Sequence, residues 1–115
     1  PFATVAAIPG IGSIEASCFT YPDLPETMYK GIVRFRNTTG DPVLVDGQPV
    51  FPDATVGNLS ELSTQPPQTD GVAQELSILA PATDRAASVT IYLRLSSSPL
   101  ECDVRTYHRA RTPAT

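Results

Sequence analysis

Apolar and polar residues alternate along several short stretches of the chain, and turn-forming residues separate these stretches. The alternation is clearest over residues 88–95, where four aliphatic side chains share one face, and it recurs over residues 13–20 and 28–37. A period of two is typical of β-strands with one buried face. Further strands are predicted at residues 2–8, 42–45, 48–51, 72–80 and 100–110.

Turn signals agree with a chain of many short strands. The 115 residues include twelve Pro and seven Gly, a composition that favours turns over long helices. The dipeptide Asp46-Gly47 lies between two predicted strands and is a type I′ hairpin signal. Residues 52–71 contain three Pro and show weak periodicity, so we expect a long loop there, or a single helical turn.

These elements predict an all-β fold. About seven or eight short antiparallel strands in one domain of ordinary size favour a β-sandwich, either immunoglobulin-like or jelly-roll-like, with a small barrel as the alternative. We expect the domain to span residues 1–110 and residues 111–115 to form a frayed tail.

The two cysteines, Cys18 and Cys102, occupy the inward-facing positions of their predicted strands. Their side chains can therefore meet in the core, and we predict one disulfide that ties the first strands to the last. Closing so long a loop stabilises a fold by about 4 kcal/mol through loop-closure entropy. The bridge indicates an oxidising compartment, extracellular or at the cell surface; the alternative is a pair of reduced core thiols in a cytosolic protein.

No pattern of catalytic residues emerges, so we predict neither an enzyme nor a cofactor. His108 is the only histidine, and no nucleophile motif accompanies it. Strand alternation directs it inward at the end of the last strand, where fraying is expected, so we predict a structural or solvent-facing histidine. It also lacks the partner spacing of a zinc site. The turn residues Asp41, Asp46 and Asp53 do not have the spacing of a calcium loop, and Asp is common in turns for backbone reasons. We therefore predict no metal.

Three carboxylates lie on outward positions near the cysteines: Glu15, Glu101 and Asp103. Two of them can approach one another if their strands are neighbours. A flat sheet lacks the cleft that paired carboxylates need for glycoside hydrolysis, so we expect no such activity.

Charge excludes some partners. The net charge of −4 gives no electrostatic reason to hold a phosphate backbone, so nucleic acid is not expected as a partner. Residues 37–84 contain no Lys or Arg, whereas the last predicted strand carries Arg105, Arg109 and Arg111. This asymmetry is either a solvated acidic surface with a basic end or a source of head-to-tail attraction between copies. No apolar run approaches the ~20 residues needed to span a bilayer.

The last two predicted strands place Tyr92 and Arg94 beside Arg105 and Tyr107 on an outward face. Tyr and Arg are enriched at protein interfaces, which makes these four residues interface candidates. The plain alternative is a set of cross-strand surface pairs.

The first predicted strand is a second interface candidate. It is apolar, lies at the chain terminus, and carries Phe2, Val5 and Ile8. A strand at a sheet edge can pair with another chain.

Two sequons, at Asn37 and Asn58, fall in predicted loops. In a secreted eukaryotic protein both would be open to glycosylation; in a bacterial protein they carry no meaning.

Three segments carry a resemblance to known proteins. They are PGIGSIEASC at residues 9–18, FRNTTG at residues 35–40 and LECDV at residues 100–104. Together they resemble small secreted actinobacterial proteins of unknown role, which carry a P-G-x-G-x-I/V-x-A-x-C opening, an F-x-N-T-x-G strand end and a late cysteine. The resemblance covers most of the chain in outline and implies an exported protein with one disulfide. Residues 52–71 have no counterpart in it.

The sequence therefore favours a non-catalytic extracellular module for interaction or structural assembly, in a surface layer, fibre or particle. Its expected partner is another protein or further copies of itself. Two alternatives stay open. One is a secreted protease inhibitor that presents a Pro-rich loop at residues 21–26 or 52–71. The other is a small carbohydrate- or ligand-binding module with a groove of exposed aromatics.

Overall fold

Two antiparallel β-sheets pack face to face in the computed structural model, which describes residues 2–21, 28–64, 69–97 and 100–111. Within these ranges nine strands form, and a single 3₁₀ turn (Pro81–Thr83) joins two of them. The predicted all-β sandwich is confirmed, with one strand more than the sequence indicated. The sandwich is elongated, with principal dimensions of 55 × 22 × 19 Å.

In chain order the strands are β1 (Ala3–Ile8), β2 (Gly12–Tyr21), β3 (Met28–Arg36), β4 (Val43–Val45), β5 (Gln48–Val50), β6 (Thr55–Thr64), β7 (Thr69–Ala80), β8 (Arg85–Ser97) and β9 (Leu100–Arg111). The four-stranded sheet has the order β1-β2-β3-β6, and the five-stranded sheet has the order β5-β4-β7-β8-β9. Strands that are adjacent in either of these two orders pair in an antiparallel manner. The chain changes sheet three times, after β3, β5 and β6.

Strand alternation predicted the buried faces correctly. In β8 the aliphatic residues Val89 to Leu95 at every second position are at most 1% exposed, and in β3 both Val33 and Phe35 are fully buried. Burying a side chain of this size contributes about 1.5–3 kcal/mol. The core consists of Ile8, Ile11, Ile14, Ala16, Val33, Phe35, Val43, Val45, Val50, Leu76, Ile78, Ala80, Ala87, Val89, Ile91, Leu93 and Leu95.

The expectation of a long loop or helical turn at residues 52–71 is wrong. Residues 55–64 form β6, which pairs with β3 over most of its length, and β7 already begins at Thr69. β6 has the sequence TVGNLSELST, in which small and polar residues hide the alternation. Its place at the edge of a sheet is set by backbone pairing with β3, which no local pattern in the sequence reports.

The Asp46-Gly47 turn has the predicted geometry. Both residues have positive φ, 49° and 85°, as a type I′ turn requires. Asp46 also links the hairpin to β7: its backbone N–H donates to the Ser77 carbonyl at 2.8 Å, and its Oδ1 accepts from the Ser77 N–H at 2.9 Å. The side chain thereby continues the β4–β7 ladder past the end of β4.

β9 extends to Arg111, the first residue of the predicted tail. Residues 112–115 lie outside the described part of the chain.

Candidate functional site

The predicted disulfide between Cys18 and Cys102 is present, with the two Cα atoms 6.4 Å apart. Cys18 lies on β2 of the four-stranded sheet and Cys102 on β9 of the five-stranded sheet, so the bridge crosses the sandwich and joins the two layers. Both side chains are half-buried and pack against the core. The bridge spans a sequence separation of 84 residues.

This crossing corrects the expected grouping of carboxylates. The two bridged strands belong to opposite layers, and their outward faces point in opposite directions. Glu15 on β2 and Asp103 on β9 therefore lie on opposite sides of the protein, so they form no pair. The side chain of Glu101 lies outside the described residues.

Glu15 instead sits in a cluster on the outer face of the four-stranded sheet. It accepts from Arg34 Nε at 2.7 Å and from Arg36 Nε at 3.1 Å, and only 13% of its side chain is exposed. Burial raises the pKa of Glu15, but the hydrogen bonds and charges of the two arginines outweigh it, so the pKa is lowered overall. The carboxylate is held ionised by its neighbours.

The N-terminal segment, which the sequence predicted as an interface, contributes one of its residues to this same cluster. The Phe2 ring lies over the Arg34 guanidinium, 3.6 Å from the ring centroid, a cation–π contact. Ile8 is 4% exposed and belongs to the core, so its expected place at an interface is wrong. Val5 remains: it sits at a bulge of β1 and is 41% exposed. β1 is at an edge of its sheet, as predicted.

Tyr92, Arg94, Arg105 and Tyr107 do share one exposed face, as the sequence predicted. We call these four residues the Tyr/Arg patch. Tyr92 is 47% exposed and Tyr107 is 59% exposed. Their rings meet edge to face, with centroids 5.8 Å apart and planes at 82°.

Arg105 has partners on its own strand. Its Nε lies 3.2 Å from Asp103 Oδ2. The charge of Asp103, and the hydrogen bonds that Arg105 donates to Asp103 and to Tyr107, raise the pKa of Arg105 above its ordinary value. By contrast, Arg94 and Arg109 form no ion pair with the rest of the described chain. The patch thus presents one unpaired cation, Arg94, beside its aromatic rings, and Arg109 lies next to Tyr107 on the outward side of β9.

The β7 side of the same face is lower and acidic. β7 contributes short side chains such as Ala73 and Ser77 to this face, and Glu75 lies between them. A cavity of about 320 Å³ opens here, bordered by Asp46, Glu75 and hydroxyl side chains. A second cavity of about 210 Å³ adjoins it beside Leu79. We call this acidic, recessed side the trough.

The sequence did not reveal the trough. From the sequence, Glu75 is predicted only to be an outward residue of a strand, and Asp46 is predicted only to form a turn. Only the pairing of the β4–β5 hairpin with β7 brings them to one groove. The available signal was the long acidic stretch without Lys or Arg, which says nothing of position.

Other candidates take structural roles or stay apart. Asp41, Asp46 and Asp53 lie in three separate turns, and no cluster of three metal-ligating side chains occurs in the described part of the chain. His108 is exposed, which is one of the two roles that the sequence left open for it, structural or solvent-facing. It occupies the inward-facing register of β9, but β9 is the edge strand, and the opposite layer leaves this position uncovered.

Asn37 corrects the glycosylation expectation. Its side chain is fully buried, and Nδ2 donates to two carbonyls, at 2.8 Å and 2.9 Å. No sugar can be attached to this nitrogen in the folded protein. Asn58 lies in β6 rather than in a loop, and its side chain is outside the described residues.

The two loops expected of a protease inhibitor find no support. Residues 22–26 lie outside the described part of the chain. In the second segment, residues 55–64 form β6 and residues 69–71 begin β7, and residues 65–68 are outside the described part. The cavities described above are bordered by polar and aliphatic residues, unlike the aromatic groove expected of a carbohydrate binder.

Fold and bridge together define a two-layer antiparallel β-sandwich whose layers are joined by one disulfide. Comparison with protein-family models, curated proteins and solved structures finds no match. No helix in the described ranges is long and apolar enough to cross a membrane. The function is therefore argued from the surface itself.

Proposed function

We propose that this protein is a non-catalytic interaction or assembly module that works outside the reducing cytosol, in a surface layer, fibre or particle. Its contact surface is the outer face of the five-stranded sheet. The intact bridge between Cys18 and Cys102 is compatible with an oxidising compartment. The resemblance to small secreted actinobacterial proteins supports the same location.

One observation carries this proposal. Five large apolar or aromatic side chains of the described chain are strongly exposed, and three of them, Leu79, Tyr92 and Tyr107, lie on this one face. Tyr92 and Tyr107 touch each other, with ring centroids 5.8 Å apart, and Leu79 lies farther along the face, beside Ala86. Isolated exposed apolar residues are ordinary, whereas adjoining exposed aromatic rings beside an unpaired Arg are typical of an interaction site. Arg94 and Arg109 supply charge at its border.

A purely structural role for the Tyr/Arg patch makes a different prediction. Cross-strand pairs stabilise a sheet by about 0.2–1 kcal/mol each, so their loss would change stability alone. An interface would lose contact with its partner even where the fold is unchanged. The two roles are therefore separable by one experiment.

The test is site-specific photo-crosslinking in the organism that makes the protein. A benzophenone amino acid replaces Arg94 on the face, and in a control variant it replaces Thr38, which is exposed in the β3–β4 loop. We expect adducts with a protein, either a different one or a second copy, at position 94 and none at position 38. Absence of adducts, or equal adducts at both positions, overturns the proposal.

A further inference from the structure

The outer face of the five-stranded sheet has two unlike halves. The outward residue Asp103 of β9 is ion-paired with Arg105. The outward residues that follow it are long and mostly basic, with the unpaired charge on Arg109: Arg105, Tyr107 and Arg109. We call these three residues the ridge. On the other side of the central strand β8 lies the trough, with Glu75 and Asp46 at its border. One half thus projects and is positive, and the other is recessed and negative.

We propose that the partner of this face is a second copy of the same chain, related by a two-fold axis parallel to β8, so that each ridge lies in the other copy's trough. This rests on the proposed function and names its partner. Two-fold dimers are the commonest homo-oligomers, and their interfaces are self-complementary. This face has projecting, positively charged residues on one side of β8 and a recessed, negatively charged surface on the other side. It is therefore complementary to a second copy of itself.

The direction of the axis follows from the arrangement of strands. A two-fold axis along β8, in the plane between two facing sheets, exchanges the β7 and β9 sides and preserves position along the strands. It therefore places a basic ridge over an acidic trough. An axis across the strands would place ridge over ridge and oppose like charges, which is costly at an interface.

The strand registers bring specific residues to the same level. Glu75 and Tyr107 both pair with Thr90, one from each side. The axis along β8 therefore sets Tyr107 above Glu75 of the second copy. Ser77 and Arg109 both pair with Ser88, so Arg109 enters the 320 Å³ cavity that Glu75 borders.

Charge complementarity favours a copy over an unlike partner. A uniformly acidic partner would be attracted to the ridge and repelled by the trough, and a basic partner would meet the reverse. Within one chain β7 and β9 are about 10 Å apart, with β8 between them, and Glu75 and Arg109 form no ion pair with each other. Both charges remain available to a second copy.

The experiment is a charge-swap test of mass in solution. The monomer has a mass of 12.3 kDa, and sedimentation equilibrium should find twice this value for the wild type at micromolar concentration and low salt. Added salt should weaken the dimer because exposed charges are screened. Glu75→Arg and Arg109→Glu should each raise the dimer dissociation constant at least tenfold.

An equimolar mixture of the two variants supplies the decisive result. In the mixed pair, Arg109 of one chain meets the native Glu75 of the other, and the reversed residues meet each other. The mixture should therefore dimerise although neither variant does so alone. Thr38→Arg, in the exposed β3–β4 loop, is the control and should dimerise like the wild type. Circular dichroism confirms that each variant is folded.

Three results would overturn the two-fold dimer. A wild type that is monomeric at every concentration would do so, as would a mixture that fails to dimerise. A dimer that survives both single reversals but is lost in Val5→Lys would assign self-association to the β1 edge instead. If the wild type is monomeric and still forms specific adducts with another protein at position 94, the two-fold dimer fails and the proposed function stays in place.

Discussion

At the scale of single residues, Asn37 joins its own turn to β5 through its buried side-chain amide, and to the β5–β6 loop through its backbone. Its Nδ2 donates to the carbonyls of Asp41 and Val50, and its Oδ1 accepts from the backbone and the hydroxyl of Thr39. Its own backbone also bonds the β5–β6 loop in both directions. Every polar atom of the side chain is satisfied, as a buried amide requires.

Replacing Asn37 with Asp should destabilise the fold by about 2–4 kcal/mol. The substitution keeps the shape but removes both Nδ2 donors, so the buried Val50 carbonyl loses its partner, at about 1–3 kcal/mol, while the Asp41 carbonyl keeps its bond from Thr39 Oγ1. The new carboxyl group is fully buried as well, which adds a desolvation cost. Urea unfolding measures the change. Thr38→Ala, at the exposed neighbouring position, is the matched control and should stay within about 0.5 kcal/mol of the wild type. Equal stability of N37D and the wild type would contradict this reading.

Glu15 predicts a pH dependence with a definite sign. Its pKa is lowered in the folded state from an ordinary value of 4.5. The ion cluster therefore contributes its full stability above about pH 4.5, and this contribution is lost as the pH falls through the lowered folded pKa. Glu15→Gln should remove that contribution.

Unfolding free energies of the wild type and of Glu15→Gln should therefore be compared from pH 7 to pH 2.5. We expect the wild type to be the more stable at pH 7 and the difference to shrink in acid. A difference that stays constant over the whole range would show that the arginines do not stabilise the ionised carboxylate.

Residues of this kind show what a sequence reports and what it omits. The turn at Asn37 was evident from its composition, but its burial depends on Val50 and on the β5–β6 loop, which only the fold brings near. Outward positions of Glu15 and Arg34 were each predicted correctly. Their contact depends on the register between β2 and β3, which alternation does not define.

At the scale of elements, the approach of β2 to β3 depends on a glycine at the start of β2. A Cβ built on Gly12 would meet the Arg36 carbonyl oxygen and the buried Phe35 ring, with ring atoms at 2.5 and 2.6 Å. Real Cβ atoms do not come so close to a ring, so any side chain here must displace the core. The strand pair closes around Phe35 because this position has no side chain.

Gly12→Ala should therefore destabilise the protein by about 1–3 kcal/mol, the usual effect of overpacking a core. Gly40→Ala is the matched control, since a Cβ there meets no atom within 4 Å and its φ is not positive. Thermal or urea unfolding of both variants provides the comparison. If the two glycines behave alike, the close packing at Gly12 does not govern the β2–β3 contact.

Strands in which apolar and polar residues alternate clearly were predicted from the sequence, whereas a strand without clear alternation was missed. Hairpins with local turn signals, β4–β5 and β8–β9, were predicted with the correct faces, and for that reason so was the Tyr/Arg patch. β6 was missed because its side chains show no clear period and its partner β3 lies far back in the chain. The trough was missed for the same reason, since it needs the non-local pairing of β4 with β7.

At the scale of the whole molecule, the two layers are held together differently at the two ends of the long axis. Cys18 and Cys102 lie near one end of the sandwich, the end at which β2, β6 and β8 terminate. Asn37 and its hydrogen bonds lie at the other end, where β3 leaves the four-stranded sheet. A covalent bond links the two layers at one end, and buried hydrogen bonds link them at the other.

Removing the bridge should therefore weaken the protein strongly and mainly at one end. For a loop of 84 residues, loop-closure entropy predicts that the double variant Cys18→Ala and Cys102→Ala loses about 4 kcal/mol of stability. Urea unfolding should show this loss, and reductant should lower the wild-type midpoint while leaving the double variant unchanged.

In native-state hydrogen exchange, amides of β9 near Cys102 should lose protection first, while those bonded around Asn37 keep theirs relative to global unfolding. Two free thiols in the unfolded, unreduced wild type would remove the basis for all of these expectations, because the layers would then be joined by packing alone.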